Sequence, residues 1–186
     1  YSIDKQENTA SVRYCNIKCF DFIIPRSIIY NSKECIVTSI LEKAFFGSLA
    51  KSIQFASNSE IRTIEKDSFH CTSIQKITIP PSLVELKERW CNNTPDLTKF
   101  TVLSNNPVYT SYENKFIIGK SSPTKENYDV LVFASRDITE AIIPDFIEII
   151  GPYSFSFCTN LKQVIFPINS KVRIIDKYAF LYTSLE

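Results

Sequence analysis

The chain has 186 residues, 44% of them hydrophobic and 22% charged, with a net charge of +1 from 21 Lys+Arg against 20 Asp+Glu. These values fit a globular domain and exclude a disordered segment, and the balanced charge gives no electrostatic footprint for nucleic acid or an anionic membrane. The longest apolar runs, such as Val130–Ala134, fall well short of the roughly 18–20 residues that cross a bilayer, so this segment is not expected to insert in a membrane.

Read in chain order, the sequence repeats itself. A partial first copy ends at Phe22–Pro25. The first full copy runs through Val37, Ile40, Ala44 and Phe45, and the second through Ile61, Ile64, Ser68 and Phe69. In each, an aliphatic residue is followed three positions later by Ile, and then by a small residue and Phe. Short alternating runs follow, Ile53–Phe55 and Ile77–Ile79, which read as strands with one buried face. A weaker copy passes through Leu86, Trp90, Leu97 and Phe100–Val102, with Trp taken in place of Phe and a small insertion at 92–96. Residues 103–141 break the period; Phe116–Ile118 and Tyr128–Phe133 flank a polar turn and predict a β-hairpin. Two further copies run through Ile147, Ile150, Ser154, Phe155, Val164 and Phe166, and through Val172, Ile175, Ala179 and Phe180. Pro25, Pro80, Pro144 and Pro167 punctuate the strand exits, where no ladder donor is needed.

A period of 24–25 residues with this apolar spacing predicts a leucine-rich-repeat-like, right-handed β-solenoid of short strands and turns. It is expected to form a single domain over 1–186, with 103–141 an irregular insertion or an elongated repeat. The chain starts at Tyr1, contains no Met and stops at Glu186 within the pattern, so it reads as an interior fragment of a longer protein.

The stretch from Ile143 to Val164, with Ile150, Phe155, Cys158 and Leu161, and the phrase from Ile175 to Phe180 resemble BspA-type leucine-rich repeats. The segment Tyr112–Phe116 is similar to interruptions in that family. The resemblance covers roughly 12–102 and 142–186. The family occurs in bacteria and in parasitic protists such as Trichomonas and Entamoeba, and the composition looks more like a protist member. The resemblance implies a surface or secreted protein that binds host cells, matrix proteins or other microbes. It brings no catalytic residues.

The side chains agree with that absence. His70, the single His, is read as a turn residue rather than the base of a Cys–His pair, and with no Cys-x-x-Cys motif no metal site is expected. Three glycines cannot build a phosphate loop, and Glu42, Glu65 and Asp176 fall at repeat positions open to solvent. Cys71, Cys91 and Cys158 are expected as buried free thiols in the turns, and Cys15 and Cys19 are a candidate cap pair. Asn92, in the sequon Asn92-Asn93-Thr94, is a candidate glycosylation site on an exposed loop. If Ile77 and Ile79 point inward, the strand residues between and beside them point out. This assigns a polar binding face to Ser52, Gln54, Lys76, Thr78, Lys99, Thr101, Gln163 and Ile165, with Ile23 and Ile165 as apolar spots. The sequence thus predicts a non-enzymatic module for a protein or glycan ligand, without cofactor, on the cell surface or secreted. The alternative is a cytoplasmic structural scaffold using the same surface.

Overall fold

A computed structural model describes residues 1–15 and 20–186, and among these every regular element is a β-strand. Cys19 of the candidate Cys15–Cys19 pair therefore lies outside the described residues. The first half contains β1 (Ser2–Asp4), β2 (Thr9–Val12), β3 (Asp21–Ile24), β4 (Ser27–Tyr30), β5 (Lys33–Ile40), β6 (Ser52–Phe55), β7 (Thr63–Ile64), β8 (Lys76–Ile79), β9 (Glu85–Leu86) and β10 (Lys99–Val102). The second contains β11 (Tyr109–Tyr112), β12 (Phe116–Gly119), β13 (Val130–Ala134), β14 (Glu140–Ile142), β15 (Ile149–Ile150), β16 (Gln163–Ile165) and β17 (Ile174–Ile175).

The strands sort into two sides of a coil. On one side β2, β5, β7 and β9 pair in parallel, with Ile40, Ile64 and Leu86 in register. On the other side β3, β6, β8 and β10 pair in parallel, with Phe22, Ile53, Ile77 and Phe100 in register. Each turn of chain thus contributes one strand to each side, and its apolar residues meet those of the next turn. A single turn could not bury them alone.

The small-Phe turns form a third edge, and they too are laddered. The Phe45 N–H donates to the Ser68 carbonyl (2.9 Å), Phe69 N–H to Trp90 (2.9 Å), and Phe155 N–H to Ala179 (2.8 Å). Each turn uses the left-handed backbone at fixed places. Lys43, Asp67, Arg89, Tyr153 and Tyr178, three residues after the inward aliphatic, have φ of 58, 55, 61, 57 and 57°. Four residues later Gly47, Cys71, Asn93, Phe157 and Tyr182 do the same, with φ of 67, 54, 54, 64 and 58°. Ser48, Thr72, Thr94, Cys158 and Thr183 come next, and hydroxyls close the turn there. Thr72, Thr94 and Thr183 each donate to the carbonyl three residues back, at 3.0, 2.7 and 2.9 Å.

This ladder corrects the reading of Trp90. Trp90 does not occupy the Phe position; it aligns with the small residues Ala44, Ser68, Ser154 and Ala179, and Cys91 takes the place of Phe. The exchange works because the indole is itself buried, edge-on to Phe69 at 6.2 Å and tilted against Phe133 at 5.7 Å.

The interruption is a three-stranded antiparallel unit, β11–β12–β13, whose last strand then pairs in parallel with β15, and β15 with β17. Phe116–Gly119 is buried on both faces, as its uninterrupted apolar run requires. Ile117 packs with the core of the first half, and Phe116 and Ile118 with that of the second.

The coil built on β13 is short. A step of 13 residues leads from Ile40 to Ile53 and from Ile64 to Ile77, and 14 from Ile150 to Val164, all inward positions on the two sides. From Leu131 to Ala141 the step is only 10. The chain leaves β13 through Ser135–Asp137 without the wide turn of the other coils, so the turn edge has a gap between the Trp90 and Phe155 turns.

Candidate functional site: the outer faces of the coil

The pleat of β6, β8 and β10 sets two outward rows. Asp21, Ser52, Lys76 and Lys99 are mutually in register in the first, and Ile23 and Gln54 pair in the second, as do Thr78 and Thr101. Lys76, Lys99 and Thr101 are exposed, and Gln54 and Thr78 are half-buried. Ser52 differs from expectation at 7% exposure. Its short side chain sits between the longer Asp21 and Lys76 and meets the Gln54 amide at 3.5 Å. Ile23 is 59% exposed at the opposite end of the sheet from β10.

Gln163 and Ile165 do not continue these rows. They lie on β16, which pairs only with β14 in a separate two-stranded sheet, placing Gln163 beside Glu140 and Ile165 beside Ile142. The cause is the short link after β13. Its Arg136 N–H donates to the Leu97 carbonyl (3.2 Å) and its Ser135 hydroxyl to Thr98 (2.9 Å), just ahead of β10, and β14 pairs onward instead. Gln163 is exposed, and Ile165 is half-buried. The open apolar residue of that sheet is Ile142, 53% exposed, which the sequence did not single out. A depression of about 700 Å³ bridges the two sheets, with Ser52, Lys76 and Lys99 on one wall and Arg136, Asp137 and Asn160 on the other.

The turn edge carries the remaining candidates. Cys91 and Cys158 are buried free thiols, but Cys71 is exposed. Cys71 stands at the second left-handed position, aligned with Gly47 and Asn93, where the side chain faces out. Cys158 stands one position on, in the hydroxyl register, with its Sγ 3.5 Å from the Ser135 carbonyl. His70 is half-buried, stacked on Phe46 at 5.6 Å, with Nε2 3.2 Å from Cys71 Sγ and Nδ1 3.2 Å from the Asn92 amide. The neighbouring pair thus meets in the turn. Asn92 is not on an exposed loop: its carbonyl accepts from the Cys71 N–H at 3.2 Å and its side chain is half-buried. Thr94 of the sequon is buried and donates to the Cys91 carbonyl at 2.7 Å.

Burial pushes the Cys91 thiol up to about 11 against the opposing pull of the Arg136 guanidinium, and raises Cys158 for the same reason. Both stay neutral thiols at physiological pH. Among the described residues no group of three or more His, Cys, Asp or Glu is placed to hold a metal, and no helix is long and apolar enough to cross a membrane.

Parallel coils stacked at a 24–25-residue period, with small-aromatic turns along one edge, define a leucine-rich-repeat β-solenoid. The chain belongs to the BspA-type leucine-rich repeat family, whose sequence pattern matches residues 2–116 and 122–186 in 6 copies. Solved structures share the fold. A leucine-rich repeat protein from Eubacterium ventriosum is similar with a TM-score of 0.65 and 21% identity, over 87% of this chain and 45% of that one. A leucine-rich cell surface protein from Faecalibacterium prausnitzii gives a TM-score of 0.52 and 12% identity, over 94% of this chain and 69% of that one. The pneumococcal vaccine antigen PcpA gives 0.51 and 17%, over 86% and 57%. The chain thus spans less than half the length of the first of these. No curated protein sequence matches it.

Proposed function

We propose that this chain is a surface-displayed interaction module that binds a protein or glycan, in the manner of an adhesin, through the outer face of the β3–β6–β8–β10 sheet. The observation that carries the reading is the in-register row of Lys76 and Lys99 beside Thr78 and Thr101, continued by a depression into the second sheet. Stacked coils hold such a row rigid, so its groups need little ordering on binding. One of the structural neighbours is described as a cell surface protein and another as a vaccine antigen, which fits display outside the cell. The face carries both charge signs and no catalytic constellation, which suits recognition more than turnover.

The test has two parts. Antibody raised against the chain labels intact source cells if the module is displayed. In arrays of glycans and matrix proteins, the chain retains a ligand that Lys76→Glu with Lys99→Glu weakens tenfold or more at unchanged melting temperature. Labelling only after permeabilisation sinks the surface reading. It would select an intracellular scaffold using the same face, a role that the free thiols of Cys35, Cys71, Cys91 and Cys158 would suit in a reducing compartment.

A further inference from the structure

The gap on the turn edge holds a partly open cavity of about 170 Å³. The Trp90 turn forms one wall, the Gly151–Tyr153 segment the opposite wall, and Phe133 with Arg136 the back. Its existence follows from the fold: the coil on β13 is three or four residues shorter than its neighbours, and the missing residues are those that would fill this space.

The polar lining is unusual. Arg136 is 3% exposed. Its guanidinium lies 4.3 Å over the Phe133 ring and donates from Nη1 to the carbonyls of Ser154 (3.1 Å) and Ala134 (3.3 Å). Among the described residues no carboxylate lies within ion-pair distance of it, so a full positive charge is buried against neutral groups, an arrangement that ordinarily requires a counter-ion. Arg136 Nε has no hydrogen-bond partner in the protein. The same holds for two other buried atoms of residues that line this cavity, Arg89 Nε and the Ser156 hydroxyl. Lys120 also lines it. Glu88 is the one acid among the described lining residues, and Lys177 takes its carboxylate at 2.7 Å.

We propose that this cavity is a binding site for a small oxyanion of the sulfate and phosphate class. Three unpartnered donors belong to residues that line one cavity, and with Arg89 paired to Asp67 (3.1 Å) and Lys87 to Glu85, the lining cations Arg136 and Lys120 have no carboxylate partner among the described residues. Two of the donors are guanidinium N–H groups, which match the geometry of oxyanion oxygens better than an ammonium would. The space is enough for a tetrahedral anion together with water. A bound anion would satisfy the donors, neutralise Arg136 and tie the two halves of the solenoid together across the gap. The site does not depend on which partner the sheet face binds.

The test is a titration of the chain with sodium sulfate and sodium phosphate, against sodium chloride at matched ionic strength, followed by melting temperature and calorimetry. A saturable rise in melting temperature with one of the two oxyanions, stoichiometric in the calorimeter, is expected. Arg136→Met abolishes it. Because that variant removes a buried group and could fail to fold, Arg89→Gln and Ser156→Ala serve beside it, each weakening the anion tenfold or more. Glucose 6-sulfate and phosphoserine tell a free ion from a group carried on a larger ligand; a free-ion site excludes both. No saturable response beyond chloride overturns the proposal, and so does a response that all three variants retain, which would be an adventitious ion at the surface only. Neither result bears on surface labelling or on the Lys76 and Lys99 face.

Discussion

Cys91 occupies a position that Phe fills in most turns, and it is 4% exposed. Burial is the main reason its thiol is raised from an ordinary 9.0 to about 11; the neighbouring Arg136 pulls the other way and does not win. The consequence for stability has a definite sign. Below about pH 9 the thiol is protonated in both folded and unfolded chains and contributes no pH dependence. Between about 9 and 11 the unfolded chain gives up the proton first, so rising pH favours unfolding. Urea unfolding at pH 9 and pH 10.5 should therefore show a loss of about 1.5 kcal/mol attributable to this group. Tyr and Lys side chains also titrate in this window, so the diagnostic quantity is a difference between proteins. Cys91→Ala should start less stable but lose less between the two pH values than the parent. Equal losses in both would mean that the thiol is hydrated in the folded state.

Among the elements, β13 and β15 mark the junction where the hairpin joins the second stack, and Gly151 is the residue that lets them meet. Its N–H donates to the Leu131 carbonyl at 2.9 Å, and a Cβ built there would stand 2.8 Å from that same oxygen. Backbone on both sides cannot yield as a flexible side chain would, so Gly151→Ala should cost roughly 2 kcal/mol or more. Gly47 is the contrasting case. Its φ of 67° is strained for other residues, but nothing lies within 4 Å of an added Cβ, and Gly47→Ala should cost only about 1 kcal/mol. Denaturant midpoints of the two variants would check the order, and a Gly47 variant that is the less stable would overturn it. Much of this architecture was legible in the sequence, because the inward aliphatic and the small-Phe pair recur at nearly constant spacing. The hairpin was legible from the apolar run Phe116–Ile118. The register of the third turn was not. Matching Trp90 to Phe by size moved the alignment by one residue, whereas the backbone ladder places Trp90 in the small-residue position. The same one-residue sensitivity separates Cys71, which faces out, from Cys158, which is buried. The division of the outer face at β10 and the cavity beside Arg136 both come from the short coil after β13. That shortness could be counted in the sequence only once Leu131 and Ala141 were known to be inward positions on opposite sides.

For the molecule as a whole, the stacked coils share no single core. One apolar cluster runs from Ala10 through Phe45, Phe69 and Trp90 to Phe133, and a second from Phe116 through Phe155 to Ala179. Aromatic rings mark each, with Phe45 stacked on Phe69 at 4.9 Å and Phe155 on Phe180 at 4.9 Å. The two clusters meet across β12 and β13, whose residues divide between them. In a solenoid, stability is close to a sum of each repeat and its interfaces with the next, so damage should stay near its origin. Phe69→Ala and Phe155→Ala each remove a fully buried ring and should cost about 3–5 kcal/mol. Hydrogen exchange should then separate them. Phe155→Ala should raise exchange over residues 130–186 while β2, β5 and β7 keep their protection, and Phe69→Ala should do the reverse. The hairpin is the point at which the outcome is decided. If both variants deprotect the entire chain to the same degree, β12 couples the two clusters into one cooperative unit and the nearest-neighbour account fails. If each effect stops at the hairpin, the interruption acts as a boundary between two stacks that open separately.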